Sequence, residues 1–207
     1  MTATPHPERG PLAALRRFVR PRPPAERCEL CSLLLPPQHA HLLELASRRL
    51  VCSCDACVVL FSGQEGGRFR RIPRQGQFLP EFELTDELWA RLHIPINLAF
   101  FVRSGGDPNQ VTALYPSPGG AIEAPLPLEA WAEVVAHNPV LADFEPDVEA
   151  LLVNRVGVRR DCYRAPIDEC FRLIGLIRTH WRGLSGGDEV WVEAARFFAR
   201  LRGTAHA

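Results

Sequence analysis

Two cysteine-rich stretches, CELC at residues 28–31 and CSCDAC at residues 52–57, decide how the first part of this chain folds. Each contains a Cys-x-x-Cys pair, formed by Cys28 with Cys31 and by Cys54 with Cys57. Two such pairs brought together place four sulfur atoms at the corners of a tetrahedron, which is the geometry of structural zinc sites. The sequence therefore predicts one metal ion bound by these four cysteines.

Zinc is the predicted metal, although iron or an iron–sulfur cluster takes the same four thiolates. Cys52 lies two residues before Cys54 and is an alternative ligand. His39 and His41 lie between the two pairs, and either could replace one thiolate. A site closed by four thiolates has no position for a water molecule, so the motif predicts a structural role and no catalytic residue.

The spacing between the two pairs predicts the fold of this module, which we place at residues 27–63. The 22 residues between Cys31 and Cys54 slightly exceed the usual separation of about 15 to 20. Residues 41–45 and 49–52 flank a short turn and are typical of a hairpin, and the apolar run after Cys54 indicates a short helix. Knuckle, hairpin and helix is the order of a treble clef, which we favour over a zinc ribbon, where the second pair would lie in another hairpin.

The rest of the chain divides by composition. Residues 1–26 are rich in proline and arginine and are predicted to be a flexible tail. Residues 64–80 are polar and contain glycine, as expected of a linker, and residues 81–203 are predicted to form the body. With 46% apolar and 23% charged residues in 207, the chain has the composition of a folded protein.

The body is predicted to be α+β, with an antiparallel sheet and C-terminal amphipathic helices. Turn sequences at 105–108 and 118–120 separate short apolar runs, which favours a meander. The predicted strands are 98–103, 110–116, 121–124, 148–153 and 163–167. The predicted helices begin near Thr85, Pro127, Asp168 and Asp188, and the third would carry Cys170, Ile174, Ile177 and Trp181 on one stripe.

Two further motifs bear on function. Residues 183–187 fit G-x-S-x-G, but a helix precedes them where a nucleophile elbow needs a strand, so Ser185 is interpreted as a helix cap. Arg68, Arg70, Arg71 and Arg74 lie near aromatic residues and could contact nucleic acid. Because 24 basic residues balance 24 acidic ones, we interpret this patch as a solvated face, with a zinc-dependent nucleic-acid-binding regulator as the alternative function.

No run of about 18 apolar residues is present, and the N-terminus lacks the apolar core of a secretory signal. The sequence thus predicts no membrane span. Closely spaced cysteines without an export signal favour the cytoplasm, where thiols stay reduced and bind metals.

Three stretches together resemble a family of uncharacterised proteins. They are HAHLLELASRRLVCSCDACVVLF (39–61), NPVLADFEPDVEALLVNRV (138–156) and PIDECFRLIGLIRTHWRGLSGG (166–187). That family occurs in high-GC bacteria, in genes beside those of nickel–iron hydrogenases. The resemblance implies a pathway and no reaction. It favours a non-catalytic accessory protein whose partner is a hydrogenase subunit or an assembly factor.

Overall fold

The computed structural model describes residues 25–63, 66–107, 110–183 and 186–204. The tail predicted at residues 1–26 lies outside the described residues except for its last two positions. In the described parts, strands form two antiparallel sheets, and helices cover them. The predicted α+β class, with its antiparallel body and C-terminal helices, is confirmed.

The elements follow one another in a fixed order. The strands are β1 (Ala40–Glu44), β2 (Arg49–Ser53), β3 (Phe69–Arg71), β4 (Gln77–Phe78), β5 (Leu98–Arg103), β6 (Val111–Ser117), β7 (Gly120–Ala124), β8 (Glu149–Asn154) and β9 (Asp161–Pro166). The helices are α1 (Asp55–Phe61), α2 (Asp86–Arg91), α3 (Leu128–His137), a 3₁₀ helix (Pro139–Asp143), α4 (Ile167–His180) and α5 (Gly187–Thr204).

The small sheet belongs to the cysteine module and has the strand order β2-β1-β3. The hairpin predicted around residues 46–48 is confirmed, since β1 and β2 pair on either side of that turn. Its apolar core is small and consists of Ala40, Leu42, Val51 and Val58. The segment expected to be a linker contains two strands. Strand β3 pairs with β1 in this sheet, and β4 pairs with β9 in the other sheet.

The large sheet has the order β4-β9-β8-β5-β6-β7, and every pairing is antiparallel. The predicted strands agree with β5 to β9 to within a residue or two. Strand β9 ends at Pro166, one residue before the predicted end of that strand, and α4 begins at Ile167. Proline fixes its own φ and is compatible with the end of a strand and the start of a helix, so the chain turns from sheet to helix there.

Helices cover both faces of the large sheet. Helices α4 and α5 pack on the face that carries Phe100 and Tyr163, and α2 and α3 pack on the face that carries Phe101. Strand β5 is therefore apolar along most of its length, since neither face of it meets solvent. The sheet is the middle layer of a three-layer body.

Local sequence accounts for the helix ends. Thr85 caps α2 by accepting a hydrogen bond from the Leu88 N–H at 3.1 Å, as expected from its sequence. Helix α4 buries Cys170 and Ile177 as predicted. Trp181 differs from the prediction, because α4 ends at His180 and Trp181 has extended backbone angles. Its indole N–H donates to the Gly183 carbonyl at 2.9 Å, and its ring is only partly buried.

The small sheet docks on the body through both apolar and polar contacts. Leu43 and Ile72 join the core beneath α4 and α5. Arg70 of β3 donates to the Asp147 carboxylate at 3.0 Å and to the Pro146 carbonyl at 2.8 Å. The module is thereby held against the body near the turn between β1 and β2, where Arg48 also lies 3.9 Å from the Asp147 carboxylate.

Among the helices of the described ranges, none combines the length and apolar character needed to cross a membrane.

Candidate metal centre

The first cysteine pair lies on a tight knuckle. The Cys28 N–H donates to the Leu33 carbonyl at 2.8 Å, and the Ser32 N–H donates to the Cys28 carbonyl at 2.8 Å. Ser32 adopts a positive φ of 64°, which is uncommon for a residue other than glycine. These bonds close the loop so that Cys28 is buried while Cys31 is exposed.

Glu29, between the two cysteines, fastens the knuckle to β2. Its backbone N–H donates to the Cys52 carbonyl at 2.9 Å, and its carboxylate accepts from the Cys52 N–H at 2.8 Å. The same carboxylate pairs with Arg49. Sequence reasoning missed this role of Glu29, because an acidic residue inside a Cys-x-x-Cys pair gives no signal of its own.

The second pair lies at the beginning of α1. Cys54 is the residue before the helix, with extended backbone angles, and Cys57 lies in the first turn. The Val58 N–H donates to the Cys54 carbonyl at 3.0 Å and continues the helix. A residue before a helix and one three positions later lie on the same side of its first turn, so both thiols approach the knuckle.

The four sulfurs lie together. The ligand atoms of Cys28, Cys31, Cys54 and Cys57 are all within 4.8 Å of one another. The Sγ atoms of Cys31 and Cys54 are 3.7 Å apart. Zinc–sulfur bonds of about 2.3 Å in a tetrahedron separate neighbouring sulfurs by about 3.8 Å. The four thiols therefore fit a metal ion such as zinc, and the order of knuckle, hairpin and helix is the one that the sequence predicts.

The site favours a thiolate at Cys28. Burial raises the pKa of this thiol, but the backbone N–H groups of Cys54, Leu30 and Cys31 hydrogen-bond its sulfur and lower the pKa to about 6. Metal ligation needs the deprotonated sulfur. The backbone thus prepares one of the four ligands for binding at neutral pH.

Cys52 lies outside the four-thiol cluster, although it is close to Cys54 in sequence. Burial raises its pKa, and the carboxylates of Glu26 and Glu29 raise it further. Its side chain belongs to a second group, with His39 and His41. In the described parts of the chain, then, the two histidines are grouped with Cys52 and not with the four thiols.

The other candidate residues lie elsewhere. Cys162 and Cys170 are buried in the body, where burial raises the pKa of Cys162 to about 12 and that of Cys170 well above its usual value. Such thiols are inert at neutral pH. Ser185 lies outside the described residues.

The arginine patch is engaged by carboxylates. Arg68 donates to Glu44 at 2.6 Å, Arg70 pairs with Asp147, and Arg74 pairs with Asp55. Arg71, in the same strand as Arg70, is exposed. Arginines held in ion pairs offer less charge to phosphates than the sequence pattern indicates.

Residues 27–205 match the family of unknown function DUF5947. The match covers most of the chain, and the chain belongs to this family. Searches of curated proteins and of solved structures found no match.

Proposed function

We propose that Cys28, Cys31, Cys54 and Cys57 bind one zinc ion as a structural site, and that this protein is a non-catalytic accessory protein. The observation that carries the proposal is the clustering of four thiols within 4.8 Å, with one sulfur pair at 3.7 Å. Four thiolates satisfy zinc completely and leave no position for a substrate.

The module has features of a protein-binding surface. Large apolar side chains are exposed on its knuckle and on α1, at Leu33, Leu34, Val59, Leu60 and Phe61. Val59 is 77% exposed and Leu60 is 65% exposed. Apolar groups gathered on one small module are typical of surfaces that contact another protein, and a zinc ion in the module would keep them in place.

The partner that we propose is a subunit of a nickel–iron hydrogenase or one of its assembly factors, in the cytoplasm. This choice rests on the resemblance of the three sequence stretches given above. The competing function, a nucleic-acid-binding regulator, is less well supported because three of the four arginines in its proposed patch pair with carboxylates.

The metal is tested on the full chain purified without oxygen. One tightly bound zinc per chain, retained on dialysis against a mild chelator that removes weakly held ions, and a colourless protein are expected. Brown protein that contains iron and sulfide would show that the four thiols hold an iron–sulfur cluster. That result would contradict both the zinc ion and the structural role. The double variant Cys54→Ser/Cys57→Ser should lose this tightly bound zinc, and stoichiometric zinc retained by it after the same dialysis would exclude the four-thiol site.

The partner is tested by binding to purified hydrogenase subunits and assembly factors. Val59→Asp with Leu60→Asp should abolish binding, since two charges then lie on the exposed apolar face of α1. The matched control is Val158→Asp, at a position that is 98% exposed in the body, and it should bind like the unaltered chain. Equal binding by both variants would contradict the proposed surface, and no binding by the unaltered chain would contradict the proposed partner.

A further inference from the structure

The second group of metal-binding side chains lies on the hairpin of the small sheet. One nitrogen each of His39 and His41 and the Sγ of Cys52 lie within 4.8 Å of one another. His41 and Cys52 are direct cross-strand partners in the β1–β2 register. His39 lies immediately before β1 and precedes His41 by two residues, which is the spacing that brings side chains to one side of an extended backbone. The hairpin therefore presents three donors together.

Hydrogen bonds orient both imidazole rings. The Nδ1 atom of His41 is 2.7 Å from the Asp168 carboxylate, and Nδ1 of His39 is 3.0 Å from the Pro36 carbonyl. A carbonyl or carboxylate oxygen accepts, so each Nδ1 carries a proton, and in the neutral form of each ring Nε2 has the free lone pair. Metal-binding histidines usually donate the N–H of their other ring nitrogen to a carboxylate or a carbonyl oxygen. The contact between His41 Nδ1 and Asp168 has this arrangement.

The lone pair of His39 is buried without a partner. Its side chain is only 6% exposed, and its Nε2 has no hydrogen-bond partner in the described structure. Buried polar atoms of native proteins almost always have a partner. A bound cation would satisfy this nitrogen.

The two histidines of the group, but not Cys52, border a pocket of about 350 Å³. His39 and His41 line it together with Glu169, Arg172 and Arg200. The lining holds three guanidinium groups, with Arg74 the third, against the two carboxylates of Asp168 and Glu169, so its net charge favours a small anion. By contrast, the four-thiol cluster contributes no residue to this lining.

We propose that His39, His41 and Cys52 bind a second divalent transition-metal ion, with zinc the first candidate, and that its fourth position is open to a water or a small carboxylate in the pocket. Two imidazoles and one thiolate are a ligand set that zinc and copper accept, and three protein ligands next to a cavity are typical of open sites. The proposal does not rest on the proposed function, and it gives the chain a site where an exchangeable ligand could bind.

The test uses the full chain loaded with one equivalent of zinc and then titrated with Co²⁺. Cobalt reports its ligands through its visible d–d bands and its sulfur-to-metal charge transfer. One further equivalent of Co²⁺ should bind, with the weak charge transfer of a single thiolate. Addition of acetate should then shift the d–d bands, since the fourth position exchanges.

Three variants, His39→Ala, His41→Ala and Cys52→Ala, should each lose this second equivalent and keep the first zinc. Retained zinc and an unchanged circular dichroism spectrum show that they fold. The matched control, His137→Ala, removes an exposed histidine of α3 and should titrate like the unaltered chain. Asp168→Asn should weaken the second equivalent by about 10- to 100-fold, since it acts through His41.

Two results would overturn the proposal. One is that zinc-loaded chain binds no further Co²⁺, or binds it equally well in all three variants. The other is loss of the first zinc in His39→Ala or His41→Ala, which would make a histidine part of the four-thiol site. Because these variants leave the four thiols in place, this proposal and the proposed function fail separately.

Discussion

The cysteine module and the body differ in what holds them together. The module's own apolar core has only four buried side chains, Ala40, Leu42, Val51 and Val58. The body packs large side chains on both faces of its sheet, with Phe100 and Tyr163 on one face and Phe101 on the other. Below about 40 residues a chain seldom buries enough surface to fold alone. From this difference we expect the module to depend on a bound metal and on its contacts with the body, whereas the body depends on its own core.

Removal of the metal is the most direct test of this difference between the module and the body. Cys54→Ser with Cys57→Ser should unfold the module and leave the body folded, because metal binding supplies about 10–16 kcal/mol in small zinc modules. Hydrogen exchange should show lost protection over residues 28–61 and unchanged protection in β5 and β8. Cys52→Ser is the control, since Cys52 lies outside the four-thiol cluster, and it should keep the tightly bound metal. A protected module in the double variant would mean that its core suffices.

Truncating the body's core should produce the next largest effect. Phe197→Ala removes a fully buried ring of α5 and should lower the free energy of unfolding by about 3–5 kcal/mol. Denaturant unfolding of the metal-loaded chain measures it. Val192→Ala, on the exposed side of the same helix, should change the free energy by less than about 0.5 kcal/mol. Equal effects would mean that the packing of α5 does not stabilise the body.

The contact between the two regions can be weakened separately. Arg70→Ala removes the guanidinium that lies 3.0 Å from the largely buried Asp147 carboxylate, which keeps the Gly105 N–H as a donor at 3.1 Å. The loss of a hydrogen bond to a charged group should cost about 1–3 kcal/mol. The neighbouring Arg71→Ala, at an exposed position of the same strand, should cost less than about 0.5 kcal/mol. The free energy of unfolding gives the cost, and hydrogen exchange of β3 reports the docking. If the two variants behave alike, the Arg70 clamp does not hold the module.

The smallest expected effect concerns nucleic acid. Each phosphate contact would add a slope of about 0.9 in log K against log salt. We expect no measurable binding to DNA or RNA at physiological salt, because Arg68, Arg70 and Arg74 are paired with carboxylates. Fluorescence anisotropy over a salt series measures this. Submicromolar binding that weakens with salt, and that Arg71→Ala reduces, would favour the regulator.

The clustering of the four thiols was predictable because its signal is local. A Cys-x-x-Cys pair sets its own geometry within one turn, and the hairpin and helix that carry the pairs follow from turn residues and apolar runs. The second group was not predictable in the same way. His41 meets Cys52 only through the register of β1 and β2, and it meets Asp168 only because α4 packs beside the hairpin, 127 residues further along the chain.

By itself, the sequence determined the class of fold, the four clustered cysteines and most of the body's strands and helices. Periodicity and turn chemistry act over a few residues, so they can be read along the chain. Only the tertiary structure decided that residues 64–80 supply a strand to each sheet, that carboxylates occupy the arginines, and that His39, His41 and Cys52 come together. Those features depend on which distant segments pack against one another, and the free energy that selects the packing belongs to the whole core and to no single motif.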